Sequence, residues 1–119
     1  MEEQIFNAND MKWVNTDHGL TKVLLGDQFS KTSRFRIFCL EAGKHFETHE
    51  HEFTQCMYFT SGQGEVSVDD RVEKIVPGLT VIVLPKQCHT ITNTGDTAIE
   101  IIVVEIMENT PQDTPFVDF

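Results

Sequence analysis

The stretch that decides the reading is GKHFETHEHEFTQCMYFTSGQG, residues 43–64. In it His49 and His51 stand two residues apart, and Gln55 follows four residues after His51. In an extended strand, side chains at i and i+2 share one face and lie roughly 7 Å apart along the chain. Two imidazoles so placed can tilt toward one divalent ion, with metal–nitrogen distances of about 2.0–2.1 Å. A helix would set the same pair about 200° apart around its axis. Tyr58, Phe59 and Thr60 favour a strand, and Ser-Gly-Gln-Gly then marks a turn. The spacing therefore predicts a ligand strand over Lys44–His51, a bend near Glu52–Phe53 and a new strand from Gln55.

A second cluster lies downstream. Gly78-Leu-Thr-Val-Ile-Val-Leu-Pro85 reads as an apolar strand closed by a proline. Lys86-Gln87-Cys88 leads into His89, with Asn93 four residues on. His89 is the natural third nitrogen ligand.

Together the two clusters resemble the cupin superfamily. Its first motif is G, five residues, HxH, three or four residues, E, six residues, G; here Gly43, His49, His51, Gln55 and Gly62 stand at those places. Its second motif is G, five residues, PxGxxH, three residues, N; here it runs from Gly78 through His89 to Asn93. The spacing holds throughout. Gln55 stands for the family's glutamate, Leu84 for its proline and Lys86 for its glycine. The resemblance implies an all-β fold, a small antiparallel double-stranded β-helix or jelly-roll barrel. It also implies one divalent transition metal on His49, His51, Gln55 and His89, with Zn, Ni, Mn, Fe, Co and Cu not distinguished. Four neutral ligands would leave the ion its full formal charge and make it a stronger Lewis acid.

Within the superfamily the chain is similar to the small cupins that linearise unsaturated uronic sugars in pectin breakdown. The shared features are HxHxxxQ, the continuation through Tyr58, Ser61 and Gly62, and a Trp-led segment from Trp13 to Gly26. In that group an acid on the last strand is followed by an arginine. Glu105 stands in for the acid, whereas no Lys or Arg follows Lys86.

Composition narrows the function classes. The chain has 119 residues, enough for one domain, and a net charge of −10 from nine basic and nineteen acidic residues. That balance argues against nucleic acid or an anionic membrane as partner. The opening MEEQIFNAND has no apolar run of a leader, and no window is long and apolar enough to span a bilayer. Three cysteines without close pairs fit a reducing, cytoplasmic compartment. Cys56 and Cys88 flank ligand positions and are expected to face away from them.

The rest reads as short strands: Thr21–Gly26, Arg34–Leu40, Gln55–Thr60, Glu65–Asp69, Val72–Val76, Thr80–Leu84, Cys88–Asn93 and Ala98–Met107. Residues 1–12 read as an arm or edge strand, 13–107 as the barrel, and 108–119 as a tail along the surface or on a partner subunit. In the last strand Ile99, Ile101, Val103, Glu105 and Met107 share one face, while Ile102, Val104 and Ile106 line the other. A strand apolar on both faces is covered on both, and a homodimer partner is the expected second cover.

Several side chains are candidates around the metal. If its face is the inner one, Glu105 is the candidate general acid/base, since a charge is rarely buried without purpose. Otherwise it pairs at the surface with Arg34, Arg36 or Lys22. Arg34 and Arg36 are also candidate grips for a substrate carboxylate. Glu47 has the strand parity of His49 and suits a ligand, an outer hydrogen-bond acceptor or a rim acid. Met57 and Phe59 share the parity of Gln55 and would wall a pocket. His18, in Asp17-His18-Gly19, reads as a turn residue. Three functions fit this set. The first is a Lewis-acid isomerase or lyase acting on a small sugar-like or carbonyl substrate. The others are a metal-dependent dioxygenase on an enol or diketone-like substrate, and a non-catalytic small-ligand binder.

Overall fold

A computed structural model describes residues 4–107. After a short 3-10 turn at Ala8–Asp10 come nine strands: β1 (Val14–Thr16), β2 (Gly19–Leu25), β3 (Ser33–Leu40), β4 (Thr54–Ser61), β5 (Gly64–Val68), β6 (Arg71–Ile75), β7 (Thr80–Val83), β8 (His89–Asn93) and β9 (Ile99–Ile106). They form a six-stranded sheet ordered β1-β2-β3-β9-β4-β7 and a three-stranded sheet ordered β6-β5-β8. Every pairing is antiparallel, so the described chain is the all-β barrel that the motifs imply. The tail, residues 108–119, lies outside the described residues.

Alternation builds the interior. Along β3, Arg34, Arg36, Phe38 and Leu40 are buried, and along β9, Ile99, Ile101, Val103 and Glu105 are buried. Register lines them up in rows across the sheet: Leu40 opposite Ile99, Phe38 opposite Ile101 and Phe59, Arg36 opposite Val103 and Met57, Arg34 opposite Glu105 and Gln55. The first two rows, with Phe46, Val66, Ile75 and Ile91, make the apolar core. The last row is polar. Gly62, in the turn after β4, must be glycine: its φ is +105°, and a Cβ there would lie 2.7 Å from Ile99 Cα.

The outer face of the larger sheet carries Phe35, Ile37, Ile102, Val104, Ile106, Tyr58 and Ile82, half-buried or exposed. At one side of this face, Lys22 lies with its ammonium 4.5 Å from the Trp13 ring and 2.9 Å from the Ala8 carbonyl, so residues 8–13 fold onto it.

The expected ligand strand over Lys44–His51 is a correction. Its backbone touches β8 at two isolated bridges, His45 with Thr92 and His49 with His89. From His45 to His49 is four steps, but from Thr92 to His89 is three. One extra residue on this side breaks the ladder, and such an insertion turns the following side chains to the opposite face. The carbonyl of Phe46 is taken by the Thr90 hydroxyl. Phe46 points inward, His45 and Glu47 point out, and His49 and His51 come back to the interior. The bend at Glu52–Phe53 leads into β4 as the sequence reading expects.

Candidate metal centre

Two stretches of chain deliver the three histidines. His49 sits on the broken strand and exchanges two backbone hydrogen bonds with His89, the first residue of β8, at 3.2 and 3.0 Å. His51 follows two residues later, and its carbonyl accepts the Lys86 N–H at 2.7 Å. Its ring stacks on Phe53, with centroids 4.0 Å apart and planes 3° from parallel. The ring centroids are 4.2 Å apart for His49 and His89, 4.8 Å for His51 and His89, and 6.0 Å for His49 and His51. One ring nitrogen from each lies within 4.8 Å of the other two.

Backbone carbonyls fix the tautomers. Nδ1 of His49 faces the Glu47 carbonyl at 2.8 Å, that of His51 the Phe53 carbonyl at 3.0 Å, and that of His89 the Gln87 carbonyl at 3.3 Å. A carbonyl only accepts, so Nδ1 carries the proton in each ring and Nε2 keeps the lone pair. All three Nε2 atoms are buried. Burial also keeps the rings neutral. Desolvation pushes His49 and His51 below the ordinary histidine range and, with the neighbouring His49, takes His89 down to about 3. Neutral imidazoles with Nδ1 anchored and Nε2 converging are the form in which histidine binds a metal.

Gln55 lies beside them at the start of β4, fully buried. Its Nε2 donates to Glu105 Oε2 at 3.2 Å, and its Oε1 is buried without a hydrogen-bond partner. An orphaned carbonyl oxygen in the interior is costly, and it is the atom that a cation would take. The donor set, three Nε2 lone pairs and one amide oxygen, therefore fits a divalent transition metal by its chemistry.

Glu105 faces inward, 0% exposed, and is paired as well. Oε1 accepts from Arg34 Nε at 2.7 Å and Arg36 Nε at 3.0 Å; Oε2 accepts from Arg36 Nη2 at 2.7 Å and from Gln55. Glu105 thus takes the inner face, and Arg34 and Arg36 meet it there rather than at the surface. Four N–H donors surround the carboxylate. Arg34 and Arg36 are themselves buried, Arg34 at 8% exposure, and both reach toward Glu105.

Other candidates divide. Met57 and Phe59 are buried on the inner row of β4 with Gln55. The side chain of Glu47 is 82% exposed and lies 3.3 Å from His45 Nε2. Parity fails there because of the extra residue described above, and it is the backbone carbonyl of Glu47 that orients His49. Cys56 is half-buried on the outer face of β4 and Cys88 is exposed, both outside any disulfide. His18 does lie in a turn, its N–H donating to Thr16 Oγ1 at 3.1 Å. That turn also carries its ring to 4.7 Å from His49 and 5.6 Å from Phe46. Nothing in the local sequence signals this approach, because thirty residues of chain separate the two histidines.

Comparisons with known proteins agree with this geometry. The family Cupin_2, described as "Cupin domain", matches residues 36–105. No curated protein matches the chain. A cupin 2 domain-containing protein from Halorhodospira halophila is similar, with 28% identity and a TM-score of 0.66 over 72% of this chain and 62% of that one. KdgF from Halomonas sp. superposes with a TM-score of 0.75 at 16% identity, covering 89% of this chain and 97% of its own. The polyketide cyclase RemF from Streptomyces resistomycificus gives 0.76 at 17% identity, covering 91% and 81%. At such identities these last two likenesses concern the fold.

Proposed function

We propose, from the premise that this chain belongs to the Cupin_2 family, that it is a metal-binding cupin acting as an isomerase or lyase on a small oxygen-rich substrate. The observation that carries the reading is the donor set. Three neutral imidazoles are anchored through Nδ1 with their Nε2 atoms turned inward, and the Gln55 amide oxygen is buried beside them without a hydrogen-bond partner. A divalent ion held by His49, His51, His89 and Gln55 would supply Lewis acidity toward a carbonyl or enol oxygen. The protein's own part is positioning. Carbonyls of Glu47, Phe53 and Gln87 hold the rings, the Phe53 ring stacks on His51, and Met57 and Phe59 give the interior behind Gln55 an apolar wall. A low-dielectric wall strengthens every charge interaction beside it.

Elemental analysis of purified protein tests the reading. About one equivalent of a transition metal is expected in wild type and none in His51→Ala. Full stoichiometry in the variant would remove the ligand assignment. Exchange of a substrate's α-proton with D2O, screened over sugar-like and carbonyl compounds, tests the chemistry. We also read the chain as a homodimer joined by the apolar outer face of β3, β9 and β4. That reading predicts that Ile102→Asp yields a monomer by light scattering.

A further inference from the structure

The pairing between Gln55 and Glu105 has a consequence for the metal reading, on which this inference rests. An amide side chain can present either its oxygen or its NH2, and the two ends have nearly the same shape. Here one end meets Glu105 Oε2 at 3.2 Å. That carboxylate accepts only, and Arg34 and Arg36 fill its remaining directions with N–H donors. Turning the amide over would set two acceptor oxygens against each other in a fully buried place. The NH2 is therefore committed to Glu105, and the oxygen is committed to the opposite side, beside the His51 ring.

We infer that Glu105 is a positioning residue: clamped by Arg34 and Arg36, it fixes the Gln55 amide so that Oε1 faces the histidines. This explains the residue at 55. A glutamate there would bring a second carboxylate to the 3.2 Å contact with Glu105, in a site where neither can reach water. Glutamine at 55 and glutamate at 105 form a matched pair, and the departure from the family's glutamate follows from what β9 places opposite it, since Gln55 and Glu105 are direct register partners.

The test uses the intact chain with Zn2+ as a diamagnetic probe, followed by NMR of the Gln55 side chain and the imidazoles. The Gln55 NH2 protons are expected to exchange slowly with water before and after Zn2+, and the Gln55 side-chain carbonyl resonance to move on Zn2+ addition together with the three imidazoles. Imidazole shifts with an unmoved Gln55 carbonyl would overturn the inference while leaving the histidine site standing. If no imidazole responds to Zn2+, the metal reading fails, and the NH2 exchange rate still decides the orientation: fast exchange overturns it. Glu105→Gln removes the acceptor-only partner and should weaken Zn2+ binding by about tenfold or more; unchanged affinity in a folded variant overturns the inference. Should that variant not fold, the wild-type amide signals decide alone.

Discussion

The same three strands build two very different interiors. At one end of β3, β9 and β4 the rows read Leu40–Ile99 and Phe38–Ile101–Phe59, closed against Phe46 and Ile91. At the other end the row reads Arg34–Glu105–Gln55, with the histidines beside it. Backbone pairing is equivalent at both ends. What differs is the cost of burial. Apolar burial contributes about 25 cal/mol per Å2 without any need for partners. Burying ions costs several kcal/mol each before their attraction returns it, so such a cluster is weak support for stability. The apolar end holds the barrel closed, and the polar end spends part of that stability on a fixed site.

The largest expected effect that tests this contrast comes from the polar end. Glu105→Ala takes the carboxylate away from two buried guanidiniums and should cost about 3–5 kcal/mol in urea unfolding. A loss under about 1 kcal/mol would mean that the two ends are energetically alike.

Acid should act on the polar end next. His89 is held neutral, with a pKa of about 3 in the folded protein against 6.5 as the ordinary value. Above pH 6.5 neither state is protonated, so stability is flat with respect to this group. As pH falls from 6.5 toward 3 the unfolded state takes up the proton first, and stability falls by up to ~1.4 kcal/mol per pH unit. Below about 3 the loss levels off. Metal-free protein should show this slope in denaturant titrations at stepped pH, and His89→Gln should flatten it. An unchanged slope would show that His89 is not the buried neutral group.

Changes at the apolar end should be smaller and silent at the site. Ile101→Val removes one methylene group from a fully buried row and should cost about 0.5–1.5 kcal/mol without altering metal stoichiometry. A shift in Zn2+ affinity would show that the ends are mechanically coupled. The smallest effect concerns the edge of the site. Lys86 adopts φ +70°, a conformation that favours glycine, at the place where the family has one. Lys86→Gly relieves that strain and also loosens the unfolded chain. A net stabilisation below about 1 kcal/mol is expected in thermal melts, and destabilisation would mean that the lysine side chain contributes more than its backbone costs.

Much of this architecture was legible in the chain. Alternation along β3, β4 and β9 told which side chains share a face, since strand parity is local and steric. The spacing of His49, His51 and His89 told that three imidazoles could meet. Parity failed between His45 and His49, where one extra residue against β8 brings His49 inward while Glu47 stays outward with His45. A bulge is set by how two strands meet, and nothing in residues 45–49 alone announces it.

The sequence by itself determined the two motifs, the strand pattern, the acidic balance and the family, because each depends on residue order and local period. Only the tertiary structure decided that Glu105 faces inward and is gripped by Arg34 and Arg36 together, seventy residues away. It alone showed that Gln55 turns its NH2 to that carboxylate, and that the turn bearing His18 reaches His49. These contacts depend on register between distant strands, and register is fixed when the whole barrel closes around one core.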